Sequence, residues 1–197
     1  NAPRIQLTAL RAENPPQPPM FCMLLRKHLA GGKLIAVRQQ GAERALYLDF
    51  ECVNELGDTV QLTLAAEMMG KYSNIILIGS DGKVLDALRR VDLAMSTVRP
   101  ILPGVPYAPP LPPEGRHDLS KTPPADMIAL LQTDTRPLAA ALAATTQGIA
   151  PVLCRELALR AAGDADVPCD RLDAAAWDKL AAGLARVREI FDDYTAG

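Results

Sequence analysis

Histidine, cysteine and arginine are the residues through which this chain could do chemistry, and their spacing narrows what that chemistry is. There are two histidines, His28 and His117. His28 closes the run Arg26-Lys27-His28. A general base needs a positioned partner, and no nucleophile–base pair, P-loop, dinucleotide fingerprint or metalloprotease motif accompanies it. No catalytic residue is assigned, and the chain is not read as an enzyme. The four cysteines, at 22, 52, 154 and 169, have no CxxC spacing. A zinc cluster needs closely paired ligands, so they read as reduced thiols. No metal ligand and no cofactor are assigned.

Arginine leaves more to work with, because its planar fork matches phosphate and base edges. Arg26-Lys27-His28 with Lys33 and Arg38 forms one basic group, and Arg89-Arg90 with Arg99 a second. Each either contacts RNA phosphate or solvates a surface. A third candidate is Gly41-Ala42-Glu43-Arg44, at the start of a predicted strand. There Arg44 can face RNA, whereas an isolated exposed Glu–Arg pair carries little energy. Finally, Thr145-Thr146-Gln147-Gly148-Ile149-Ala150-Pro151 lies between two helical segments. Such a turn either aims backbone N–H groups at a phosphate, as in a helix-hairpin-helix unit, or simply joins two helices with Gly148 as C-cap. Net charge is −2, so any nucleic-acid binding rests on a local patch rather than on bulk charge.

The elements that position these residues fall into two kinds. The polar, then Pro-rich start (Glu13-Asn14-Pro15-Pro16-Gln17-Pro18-Pro19) leads into a helix over Met20–Leu29, with cations in its last turn and Gly31-Gly32 as its stop. The period then changes from helical to alternating. Leu34–Arg38, Arg44–Val53, Val60–Met68 and Ser73–Ile78 read as strands, and Val84–Val91 as a continuation of the sheet. In the second strand Leu46, Leu48, Phe50 and Cys52 share one face and Tyr47, Asp49 and Glu51 the other. Short connections favour antiparallel neighbours. The run Arg99–Pro124 is too rich in proline for helix or interior strand and reads as an extended linker over the sheet. Beyond it the composition turns to Ala and Leu, with helices over Met127–Leu131, Pro137–Thr145, Pro151–Ala162 and Ala174–Tyr194. This predicts an α+β chain: an antiparallel β-rich domain over 1–124 and a helical domain over 125–197.

Four segments, in order, carry a family resemblance. Asn14-Pro15-Pro16-Gln17-Pro18-Pro19-Met20-Phe21-Cys22-Met23-Leu24-Leu25-Arg26-Lys27-His28-Leu29 precedes the glycine turn. Glu67-Met68-Met69-Gly70-Lys71-Tyr72-Ser73-Asn74-Ile75-Ile76-Leu77 leads into a strand. Leu102-Pro103-Gly104-Val105-Pro106-Tyr107 and Gln147-Gly148-Ile149-Ala150-Pro151 follow. Together they resemble the NFACT family, also called the fibronectin-binding protein A family, as an internal part of the longer protein; such a part is expected to expose apolar surface. The resemblance implies a β-rich domain similar to the N-terminal domain of formamidopyrimidine DNA glycosylases, followed by the helix-hairpin-helix region. It also implies a module of a bacterial ribosome-associated quality-control factor. That module would bind tRNA (alanyl-tRNA) and a large ribosomal subunit obstructed by peptidyl-tRNA, and support template-free alanine tailing of the stalled chain. On that resemblance Arg44 is the RNA contact, Glu43 its orienting partner in place of the family's Asp, and Arg26, Lys27 and Gly148 further RNA-binding positions. A surface adhesin that binds fibronectin and a glycosylase-like nucleic-acid-binding protein are the alternatives. No apolar run approaches the roughly 18 residues that span a bilayer, and no signal peptide opens the sequence. A cytoplasmic location without a membrane partner is expected.

Overall fold

The computed structural model describes residues 4–10, 13–39, 43–96, 98–111 and 114–195. Gly41 and Ala42 of the Gly-Ala-Glu-Arg motif lie outside the described residues. The chain divides into two compact units. One holds the described residues before 40 together with Arg44–Pro110; the other holds Glu43 and the described residues from Leu111 onward.

The first unit opens with α1 (Met20–Leu29), preceded by Pro19. Proline suits that position because the first helical N–H groups have no partner to lose. Gly31 adopts a left-handed φ of 80° to end the helix. Gly32 is required for a different reason: a Cβ there would lie 2.6 Å from Cys52 Sγ and 3.1 Å from the Leu29 carbonyl. The chain then enters a five-stranded antiparallel sheet in sequence order. Its strands are β1 (Lys33–Gln39), β2 (Ala45–Val53), β3 (Thr59–Glu67), β4 (Asn74–Ile78) and β5 (Val84–Ala87). The β2–β3 turn is set by Asn54, whose Oδ1 accepts from the N–H groups of Leu56 and Asp58. This is the local bonding that makes Asn a turn residue.

Both faces of the sheet are covered. On one, Leu24, Leu25 and Leu29 pack on Cys52, Leu62 and Leu77. On the other, Val91, Ile101 and Tyr107 pack on Ala45, Tyr47, Ala65, Ile76 and Val84. Alternation along β2 places Tyr47 opposite the face of Cys52, as expected, and that second face is buried too at Tyr47. What buries it is the Pro-rich segment, which is bonded along β5. The Val84 N–H donates to the Val105 carbonyl, Gly104 N–H to the Val84 carbonyl, and Tyr107 N–H to the Gly82 carbonyl. β5 stops at Ala87, short of the predicted Val91, because the backbone of Arg89 is captured by the Asn74 side chain (N–H to Oδ1 2.9 Å, Nδ2 to carbonyl 2.8 Å). At the other edge, β1 leaves Leu34, Ile35 and Val37 exposed.

The second unit begins with β6 (His117–Asp118) and α2 (Pro124–Gln132), continues through α3 (Leu138–Thr145), β7 (Thr146–Gln147) and α4 (Pro151–Ala162), and ends in α5 (Ala174–Thr195). The short parallel β6–β7 ladder has no counterpart in the periodicity, since two residues cannot show a period. Its core is one cluster: Leu131, Leu138, Leu142, Cys154, Leu180 and Leu184 are all essentially inaccessible. Fully burying such a leucine is worth roughly 1.5–3 kcal/mol. All four cysteines are free. Burial pushes the thiols of Cys52 and Cys154 up, and that of Cys169 up to about 11, which keeps them protonated and unreactive at neutral pH. Among the described residues no helix is long and apolar enough to cross a membrane.

Candidate nucleic-acid interface

The register brings Ala45, Glu67 and Asn74 side by side at one end of the sheet. Glu67 is 2% exposed. A carboxylate so placed is costly unless paired and fully hydrogen-bonded, and here it is both. Arg99 grips it with two nitrogens, Nη2 on Oε1 and Nη1 on Oε2 at 3.0 Å. The Tyr107 hydroxyl donates to Oε1 at 2.9 Å. Arg99 also donates through Nε to the Ala108 carbonyl and lies 5.4 Å from the Tyr107 ring centroid. Tyr107 and Tyr47 meet edge-on with their hydroxyls 3.2 Å apart. Burial opposes the Arg99 charge, and the hydrogen bonds and charge of Glu67 outweigh it, leaving the guanidinium above its ordinary value. Burial first, and then the bond to Tyr47, raise the Tyr107 hydroxyl, so it stays protonated and able to donate. Arg99 was one of the sequence candidates for an RNA contact. The structure gives it a different task, clasping the Pro-rich segment to the sheet.

Outside this clasp lies a set of cations without carboxylate partners. Arg44 is exposed, one residue before β2. Its carbonyl accepts from Met68 N–H at 2.7 Å, which fixes its backbone to β3. Its guanidinium makes no ion pair among the described residues. Beyond Met68 a tight 3-10 turn spans Gly70–Tyr72. Lys71 Nζ lies 4.9 Å from the Tyr72 ring centroid. Arg89 Nη1 donates to the Lys71 carbonyl at 2.6 Å. Neighbouring cations are neutralised: Arg90 by Asp86 at 2.8 Å, and Arg38 by Asp49 through two hydrogen bonds. Among the described residues Arg44, Lys71 and Arg89 therefore contribute an uncompensated positive surface at this end, despite the net charge of −2.

The structure joins Arg44 to the Arg89 group and separates it from Arg26 and Lys27. Lys33 pairs with Glu51 and Gln39 with Leu46. The α1 terminus thus meets the sheet roughly 20 Å from the Arg44 end, at about 3.3 Å per strand residue. Arg26 and Lys27 are exposed there, and Lys27 is paired with Glu55 at 2.8 Å. His28 lines a cavity of about 570 Å³ with Lys27, Asn54, Glu55 and Asp81. Glu43 belongs to the second unit, where its carboxylate accepts from Gln147 Nε2 at 2.5 Å. Gly148 follows β7 with φ 99° and opens the turn into α4. Within that turn the Leu153 and Cys154 N–H groups are taken by the Ala150 carbonyl, while Thr146 bonds back to Leu142 through its hydroxyl. Lys71 and Tyr72 lie in a segment that carries the family resemblance, but the sequence assigns neither a role. Their signal was a cation beside an aromatic after a glycine in the short link between two strands.

Residues 1–196 match the family described as NFACT N-terminal and middle domains. The chain is 41% identical over 105 residues to the Rqc2 homolog RqcH of Bacillus subtilis, covering 53% of this chain and 18% of that one. The N-terminal part of the fibronectin/fibrinogen-binding protein of Streptococcus suis has a similar structure, with a TM-score of 0.71 and 29% identity, covering 92% of this chain and 64% of that chain. The N-terminal domain of fibronectin-binding protein PavA from Streptococcus pneumoniae matches with a TM-score of 0.68 and 34% identity, over 78% of this chain and 57% of that one. The chain spans about a fifth of the length of the curated relatives it matches.

Proposed function

Because the chain belongs to the NFACT family, whose curated members include Rqc2 homologues, we propose that it is the tRNA- and large-ribosomal-subunit-binding module of a ribosome-associated quality-control factor. In this role it works in the cytoplasm. It holds tRNA, alanyl-tRNA in particular, on a large subunit obstructed by peptidyl-tRNA, and so supports template-free alanine tailing of the stalled chain. The role is binding, with no catalytic step assigned to its own side chains.

The observation that carries this reading is the uncompensated cation set of Arg44, Lys71 and Arg89 on rigid backbone at one end of the sheet. A guanidinium on a backbone fixed to the next strand, with no carboxylate paired to it, meets phosphate without first breaking an ion pair. Each phosphate it neutralises releases counterions and steepens the dependence of affinity on salt. Gly148 and the start of α4 are a second candidate contact, through backbone N–H groups.

The test is binding of the chain to deacylated and alanine-specific tRNA, against duplex DNA and fibronectin, across a salt series. Salt-sensitive tRNA binding that weakens in Arg44→Ala, with unchanged thermal unfolding, is expected. Fibronectin is included because two similar solved structures are named for binding it. Binding to fibronectin and not to tRNA would replace the proposal with an adhesin.

A further inference from the structure

Tyr72 differs from the other tyrosines whose side chains are described. Tyr47 is 6% exposed and Tyr107 is half-buried, and both hydroxyls are hydrogen-bonded within the unit. Tyr72 is 68% exposed, and its hydroxyl has no hydrogen bond among the described residues. It fills no part of the core, yet the backbone that carries it is strongly braced. Tyr72 N–H donates to the Met69 carbonyl at 3.1 Å, and the Ser73 N–H and hydroxyl both donate to the Gly70 carbonyl. The Arg89 guanidinium fastens the Lys71 carbonyl from β5's side. Gly70, with φ 58°, permits the turn. Lys71 Nζ sits over the ring. The turn follows directly from Met68, whose N–H is bonded to Arg44.

We infer that Tyr72 is a stacking platform for an unpaired nucleobase of RNA, with Lys71 and Arg89 taking the adjoining phosphates. This rests on the reading of Arg44 as an RNA contact and extends it from phosphate to base. An aromatic face beside cations is how proteins hold single-stranded RNA: stacking accepts any base, and the charges follow the backbone. A rigid turn matters because the ring is then presented without an ordering cost at the moment of binding. A paired duplex offers no free base face, so the platform selects loops and single strands over helices.

The experiment measures fluorescence anisotropy of labelled oligo(U), of a blunt RNA duplex and of tRNA with the wild-type chain and with Tyr72→Ala, Tyr72→Phe, Lys71→Ala and Arg44→Ala. Tyr72→Ala is expected to weaken oligo(U) binding about tenfold, within the range for one base–aromatic stack, leaving the salt slope, duplex affinity and thermal unfolding unchanged. Tyr72→Phe keeps the ring and stays within about twofold of wild type, whereas Lys71→Ala lowers the salt slope by roughly 0.7. The inference is overturned if Tyr72→Ala binds oligo(U) as wild type does, if Tyr72→Phe falls as far as Tyr72→Ala, or if wild type does not bind oligo(U). Should tRNA binding still depend on Arg44 in any of those cases, the RNA reading stands and the stacking inference alone fails. Absence of binding to every RNA overturns both.

Discussion

The two ends of the five-stranded sheet carry comparable numbers of basic residues and assemble them differently. At the α1 end, Arg26, Lys27 and His28 are adjacent in sequence; Lys27 pairs with the exposed carboxylate of Glu55, and Arg26 makes no ion pair among the described residues. At the far end, Arg44, Lys71, Arg89 and Arg99 are scattered over the sequence and gathered by strand register. One of them, Arg99, is largely enclosed and pairs with Glu67, the buried carboxylate among the described residues. The others are exposed, with no carboxylate paired to them among the described residues. Density of charge along a sequence is therefore a poor guide to an anion site. What matters is which cations the fold neutralises internally and which it leaves over.

The largest way to break this comparison is at Glu67. Removing it in Glu67→Ala leaves the largely enclosed Arg99 without its counter-ion, which costs about 3 kcal/mol, and urea unfolding measures it. The paired replacement Glu67→Leu with Arg99→Met is expected to recover most of that loss, because a buried pair exchanged for apolar side chains is often near neutral. If the double variant is no better than Glu67→Ala, the clasp works through something other than the charge pair. Next in size is Arg44→Ala, expected to weaken tRNA binding about tenfold and to lower the salt slope by roughly 0.7–0.9, as read by a filter-binding titration. Arg26→Ala with Lys27→Ala is expected to change tRNA affinity less than about twofold, since one partner is already engaged and exposed pairs contribute little. A larger loss there would move the interface to the α1 end.

The smallest effect is on the acid limb of stability. The hydrogen bonds from Arg38, followed by that from Thr63, hold the Asp49 carboxyl below its ordinary range against the opposing effect of burial. A lowered folded value means that the contribution is fully present above the unfolded value of about 4 and is lost as pH falls through the lower, folded value. Asp49→Asn is thus expected to flatten the pH dependence of thermal unfolding below about pH 4 and leave the neutral plateau slightly lower. An unchanged acid limb would mean that the pair with Arg38 is as loose as its exposed guanidinium allows.

Much of this architecture was legible in the residues. Pro18-Pro19 and Gly31-Gly32 bracketed α1, and the bounds of α4 follow directly from Pro151 and Gly163. Alternation placed the strands to within a residue or two, except where the Asn74 side chain displaced strand pairing at Arg89. The family named by the resemblance is the one whose model matches residues 1–196. What could not be read was long-range pairing. Glu67 and Arg99 are 32 residues apart, and no local pattern says that one buries the other. Nor does the sequence say that Glu43 turns to Gln147, 104 residues away. Tyr72 was hidden for a simpler reason: an exposed aromatic in a turn has no period.

The most direct test of the central claim is the tRNA affinity of the wild-type chain, Arg44→Ala and Arg26→Ala/Lys27→Ala across one salt series. The account predicts salt-sensitive binding that weakens about tenfold in Arg44→Ala with a shallower slope and survives in the α1 double variant. Equal affinity in all three proteins, or a loss confined to the α1 variant, would contradict it.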